Sequence, residues 1–183
     1  MRTWRALVAT LAVIGCTPSK PVELVALSGK LGPAGGSLTA PETDGLAGAR
    51  LEVPAGALDT EVEFSFVPGD DETPLPGDGF RVGPLFAIEP VTTKLKAPVR
   101  ITYPFDPAAR AAFPNTDAEC RVWQRSTDGW SGVAQTASTE SSVTIETSSL
   151  ALGAAGVQRA IIVNVCGTSA MPCALPGPCT SPM

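Results

Sequence analysis

Histidine is absent from all 183 residues, and that one absence removes several chemistries. Ser-His-Asp and Cys-His catalysis need an imidazole base, histidine zinc sites need its ring nitrogen, and a switch near neutral pH needs its titration. Basic residues are scarce too. Thirteen Lys and Arg stand against 18 Asp and Glu, a formal charge of −5 that grows more negative once Arg2 and Arg5 leave with a leader. Nucleic-acid binding draws most of its affinity from neutralised phosphates, so no nucleic-acid partner is expected. No Gly-x-Ser-x-Gly elbow, phosphate loop or dinucleotide fingerprint occurs. Apolar residues nonetheless make up 44%, enough to bury a core. Gly and Pro, at 18 each, are abundant but short of low complexity.

What is present alternates with period two. Val62, Phe64 and Phe66 fall on one side of their segment; Val99, Ile101 and Tyr103 do the same, as do Val143 and Ile145. Such alternation marks half-buried antiparallel strands. Shorter strands are expected at 22–27, 37–39, 50–53, 85–88, 120–125, 130–135 and 160–165. Pro54, Gly56, Pro68, Gly69, Pro90 and Pro98 punctuate the gaps. Asp128-Gly129 signals a two-residue hairpin turn, because a type I′ turn needs positive φ at both central positions. The one helical hint is 107–112, after Asp106. About ten short strands with frequent turns predict an all-β fold, an antiparallel β-sandwich.

The chain begins with Arg2 and Arg5, then an apolar run over 6–15. That run is about half the roughly 20 residues a spanning helix needs, and it fits the apolar part of a secretory signal. It ends in Val13-Ile14-Gly15-Cys16, which resembles the lipobox of bacterial lipoproteins, although Ile14 is bulkier than the Ala or Ser usual there. The resemblance implies removal of residues 1–15 and lipidation of Cys16, with fatty acyl chains such as palmitate holding the protein at a membrane. One chain binds marginally and two or more bind stably. Thr17 follows the cysteine, and by resemblance to the enterobacterial sorting rule this favours the outer membrane. Residues 16–21 then form the lipidated cysteine and a short polar tether.

A second resemblance rests on Leu31-Gly-Pro-Ala-Gly-Gly-Ser-Leu38, on Val53-Pro54-Ala55-Gly56-Ala57-Leu58, and on Val82-Gly83-Pro84 leading to Pro98-Val99-Arg100-Ile101. It is similar to the ZU-five type β-sandwich of ankyrins, netrin receptors and tight-junction scaffolds. The match covers about residues 31–106. Pro54 would end a strand by removing a donor, Gly56 would permit a tight turn, and Ala57-Leu58 would return to the core. The resemblance implies an interaction or scaffold module with no active site and no cofactor. Some members cut themselves at His-Phe-Ser. Here Glu63 precedes Phe64-Ser65 and no histidine is available as base. The expected organisation is a sandwich over 22–106, accessory strands of the same or a packed sheet over 107–165, and a Cys/Pro-rich tail over 166–183.

Three features carry candidate chemistry. The acidic stretch holding Asp70, Asp71, Glu72 and Asp78 is oxygen-rich, as calcium requires, but its spacing matches no calcium loop and a solvated hairpin loop is expected. Cys120, Cys166, Cys173 and Cys179 would form two disulfides in an oxidising envelope, in any of three pairings, pinning the tail to the sandwich. Trp123, Trp130 and Phe113 form either core or an exposed binding face, and placing Trp123 inward would also turn Arg121 and Arg125 inward. The expected function is therefore a lipid-anchored, non-catalytic interaction module, with its protein or envelope-polymer partner unidentified. A calcium-stabilised adhesion module and a carboxylate-dependent hydrolase of envelope polymers are the alternatives.

Overall fold

Period-two alternation organises a computed structural model that describes residues 22–25, 27–43, 45–77, 79–113 and 120–157. Cys16, Asp78, Cys166, Cys173, Cys179 and the strand expected at 160–165 lie outside the described residues. The fold is an all-β sandwich of two sheets. In chain order the strands are β1 (Val22–Val25), β2 (Ser28–Leu31), β3 (Gly36–Thr39), β4 (Arg50–Val53), β5 (Val62–Pro68), β6 (Phe80–Arg81), β7 (Phe86–Glu89) and β8 (Val99–Pro104). A short helix, α1 (Pro107–Ala111), follows. Then come β9 (Arg121–Ser126), β10 (Gly129–Val133), β11 (Gln135–Ser138), β12 (Ser142–Thr147) and β13 (Gly153–Val157).

The first sheet has the order β1-β3-β4-β8-β12-β11 and the second β10-β9-β13-β7-β5-β2, with β6 beside β13. Pairing is antiparallel except between β1 and β3. The strands after residue 106 enter both sheets: β11 and β12 extend the first, while β9, β10 and β13 extend the second. The α1 turn begins as its sequence suggests. Asp106 accepts a 2.8 Å hydrogen bond from Ala108 N, and Pro107 sits where a missing N–H costs nothing.

Register explains the core. Leu38, Leu51, Ile101 and Ile145 stand opposite one another across four strands of the first sheet, and all four are fully buried. Phe64, Phe66, Phe86, Ile88 and Val122 face them from the second sheet in the same cluster. The Phe86 ring joins the layers, stacked on Tyr103 at 4.7 Å and edge-on to Phe66 at 5.7 Å. Each such side chain stabilises the fold by about 1.5–3 kcal/mol through burial.

The two ends of the sandwich differ. At the near end, β1 begins with Val22 opposite Gly36, itself opposite Val53. The loops at 32–35, 54–61 and 90–98 gather there. Gly56 N donates to Pro33 O and Lys96 N to Ala57 O, each at 2.9 Å. Gly56 takes φ +80, and Ala57 and Leu58 return to the core. The far end of the first sheet carries the 40–49 loop, the start of α1 and the 139–141 turn.

Two local expectations change. The β9–β10 hairpin exists, but Ser126 pairs with Gly129, so its central residues are Thr127 and Asp128. Positive φ falls on Gly129, at +117, on the strand side of the turn. The segment expected as one strand at 130–135 divides into β10 and β11, which join different sheets.

Candidate functional site

The acidic stretch packs down as a strap where a solvated loop was expected. It leaves β5 at Pro68 and runs over the outer face of the second sheet. Gly69 N donates to Leu85 O at 2.8 Å, and Leu75, only 4% exposed, plugs a second apolar cluster with Leu85, Trp123, Trp130 and Ala154. Asp71 ties the strap down. Its Oδ1 accepts from Thr73 N at 2.8 Å, its Oδ2 pairs with Arg125 Nε at 3.2 Å, and its carbonyl oxygen accepts from Arg81 Nη1. Arg125 in turn lies 5.8 Å from the Trp130 ring centroid, within cation–π range.

Asp71 is thus committed to protein partners, while Asp70 and Glu72 are exposed and Asp78 lies outside the described residues. Among the described residues no group of three His, Cys, Asp or Glu side chains is arranged to hold a metal.

The hydrogen bonds from Thr73 hold the Asp71 carboxyl below its ordinary value of 3.8, with Arg125 and Arg81 adding to the effect against some desolvation. A group depressed on folding contributes stability above its unfolded pKa and loses it as pH falls through the lower, folded value. Asp71→Asn is therefore expected to destabilise the protein at neutral pH. The gap from the parent should close as pH falls through and below the ordinary carboxylate range. Denaturant unfolding of both proteins at neutral and strongly acid pH checks this; a gap independent of pH would remove the carboxylate from the account.

The same packing settles the tryptophan register. Val122 joins the core between the sheets while Trp123 joins the outer cluster, so Arg121, Trp123 and Arg125 all point outward. The strap makes this possible by burying the outward face: Trp123 is 6% and Trp130 8% exposed. Neither belongs to an exposed binding face. Phe113 is half-buried, stacked on Phe80 at 4.3 Å.

Cys120 is buried in the main core. Burial pushes its thiol up to about 11, against a smaller opposing pull from Arg110, so it stays protonated and weakly nucleophilic at neutral pH. Its proposed tail partners lie outside the described residues.

Two shallow recesses have volumes of about 420 and 360 Å³. The larger, walled by Arg121 and residues 132–135, presents no carboxylate in its lining. The smaller lies at the near end between Leu58–Val62 and Pro90–Lys94 and presents one, Asp59, whose Oδ1 is 2.5 Å from Lys96 Nζ. Hydrolysis by carboxylates alone requires two, about 5–10 Å apart, and neither recess supplies that pair. Sequence reasoning missed both this near-end recess and the strap. An apolar Leu75 between Pro74 and Pro76, inside an otherwise polar stretch, was the available signal for the strap. No protein-family model matches the chain, and no curated protein matches it.

Proposed function

We propose that this chain is a lipid-anchored β-sandwich that works by contact. It holds an interaction surface at a cell envelope, with the outer membrane the favoured location and a protein or envelope polymer as partner. The observation that carries the reading is the leader, in which Arg2 and Arg5, a largely apolar run over 6–15 and Cys16 follow in the order a lipoprotein signal requires. The ZU-five likeness of the sequence over about residues 31–106 adds a scaffold role.

The non-catalytic part is supported by side-chain chemistry. Histidine is absent, Cys120 is buried and protonated, Ser65 lies within β5, and neither recess pairs carboxylates. Among the described residues of the strap, Asp71 is taken up by Thr73 and Arg125 and no metal-holding group forms.

Cys16→Ala tests the anchor. The parent should pellet with membranes and carry acyl chains by mass, whereas the variant should move almost entirely to the soluble fraction. Two acyl chains anchor stably and none leaves only the weak attraction of a folded acidic domain. Continued co-sedimentation of the variant would overturn the proposal.

A further inference from the structure

We propose that the seat formed by Trp123 and Trp130 on the outer face of the second sheet has a second occupant. It is the Leu175-Pro176-Gly177 segment of the chain's own tail, which exchanges there with Leu75-Pro76-Gly77 of the strap. Neither occupant depends on the lipid anchor.

Leu75 fills the seat in this structure, packed with Trp123, Trp130, Leu85 and Ala154. A small residue leaves the room for it: a Cβ on Gly156 would lie 2.6 Å from Leu75 Cδ1 and 2.9 Å from Trp123 Cδ1. Behind the leucine the strap reverses. Gly77 takes φ +62, Gly79 N donates to Pro76 O at 3.2 Å, and Gly79 bridges back to Leu75. Leucine is the plug, proline fixes the backbone after it, and glycine permits the reversal. The seat selects Leu-Pro-Gly.

That tripeptide occurs twice in the sequence, at 75–77 and at 175–177, and nowhere else. The second occurrence lies outside the described residues, but the chain can bring it back. β13 ends at Val157, next to Gly156 in the floor of the seat, and Leu175 follows 18 residues later. Fully extended, at about 3.3–3.6 Å per residue, that length spans roughly 60 Å, far more than the return requires.

The strap uses the volume of the seat and not its hydrogen bonds. Trp123 Nε1 and Trp130 Nε1 are buried without a partner, in side chains only 6% and 8% exposed. Buried donors left unpaired are costly, so a backbone that brings carbonyl oxygens to them improves on the present fit. Aromatic-lined surfaces are a usual docking floor for proline-rich segments, and Pro172, Pro176 and Pro178 surround Leu175.

Charge separates the rivals. The Asp71 carboxylate ties the strap to Arg125, whereas residues 166–183 carry no charged side chain. Ionised Asp71 therefore favours the strap, and its loss tips the seat towards the tail.

The experiment follows cleavage at Glu72 by a glutamate-specific protease in the full-length protein, held in detergent. Cleavage tracks the population with the strap off the sheet. Asp71→Asn should speed it about fivefold, the worth of one partly exposed ion pair. Leu175→Asp removes the competitor and should slow it about threefold or more, in the parent and in Asp71→Asn alike. Ala170→Asp puts the same charge elsewhere in the tail and should change nothing. The pentapeptide Ala-Leu-Pro-Gly-Pro, residues 174–178, should restore the faster rate to Leu175→Asp at millimolar concentration, comparable to that of a tethered segment. Cleavage indifferent to Leu175→Asp, equal slowing by Ala170→Asp, or a pentapeptide without effect would overturn the exchange. A parent rate that rises with protein concentration would assign the tail to another molecule and overturn the intramolecular form.

Discussion

Trp123→Ala is expected to cost about 3–5 kcal/mol of unfolding free energy, the usual range for removing a buried aromatic side chain. The reason is local. Trp123 sits in the outer cluster with Leu75, and Gly156 makes room for its ring, an ideal Cβ there lying 2.9 Å from Cδ1. Taking the indole away leaves Leu75 without its seat. The strap would then be held mainly by Asp71 and its partners, of which the partly exposed ion pair contributes modestly. For a domain with total stability of about 5–15 kcal/mol, the loss is severe. The denaturant midpoint should fall, and a glutamate-specific protease should cut at Glu72 in the variant far faster than in the parent. A loss under about 1 kcal/mol, with the strap still resistant, would mean that the outer cluster does not hold it.

Gly35→Ala is expected to be about as damaging, and Gly56→Ala is its control. Both glycines have positive φ, +73 and +80, so an L side chain costs about 1–2 kcal/mol at either position from backbone conformation alone. Their surroundings differ. A Cβ on Gly35 would lie 2.6 Å from Val53 O, 2.7 Å from Ala55 N and 2.8 Å from Pro54 C, whereas on Gly56 it would meet nothing within 4 Å. Backbone atoms cannot swing aside, so overpacking adds about 1–3 kcal/mol at Gly35 only. Thermal or denaturant unfolding should rank parent, Gly56→Ala and Gly35→Ala in falling order of stability. Equal losses would show that the near-end turns are looser than their hydrogen bonds imply.

Parts of the candidate site were open to reading from residues alone because they depend on neighbours in the chain. The turn after β4 is read from Pro54 and Gly56. The strap was closed to such reading. Asp70 to Asp78 has the composition of a solvated loop, and only the approach of Arg125 and Arg81 from distant strands makes Asp71 a fastening. β13 was missed for a related reason. Gly153-Ala-Ala-Gly-Val157 has poor intrinsic strand preference, yet the fold needs small residues there. A Cβ on Gly153 would lie 2.6 Å from the Tyr103 hydroxyl, and one on Gly156 would lie 2.6 Å from Leu75 Cδ1. The strand is thin because large side chains occupy the space on both of its faces.

From its own order of residues, the chain determined the all-β class, most strand positions and the α1 turn after Asp106. Period and punctuation are local properties, and backbone geometry responds to them directly. Tertiary structure alone decided which strands share a sheet and that Trp123 faces outward and is still buried. Those outcomes depend on which distant surfaces meet, and alternation within a strand is the same whether one face is covered or both.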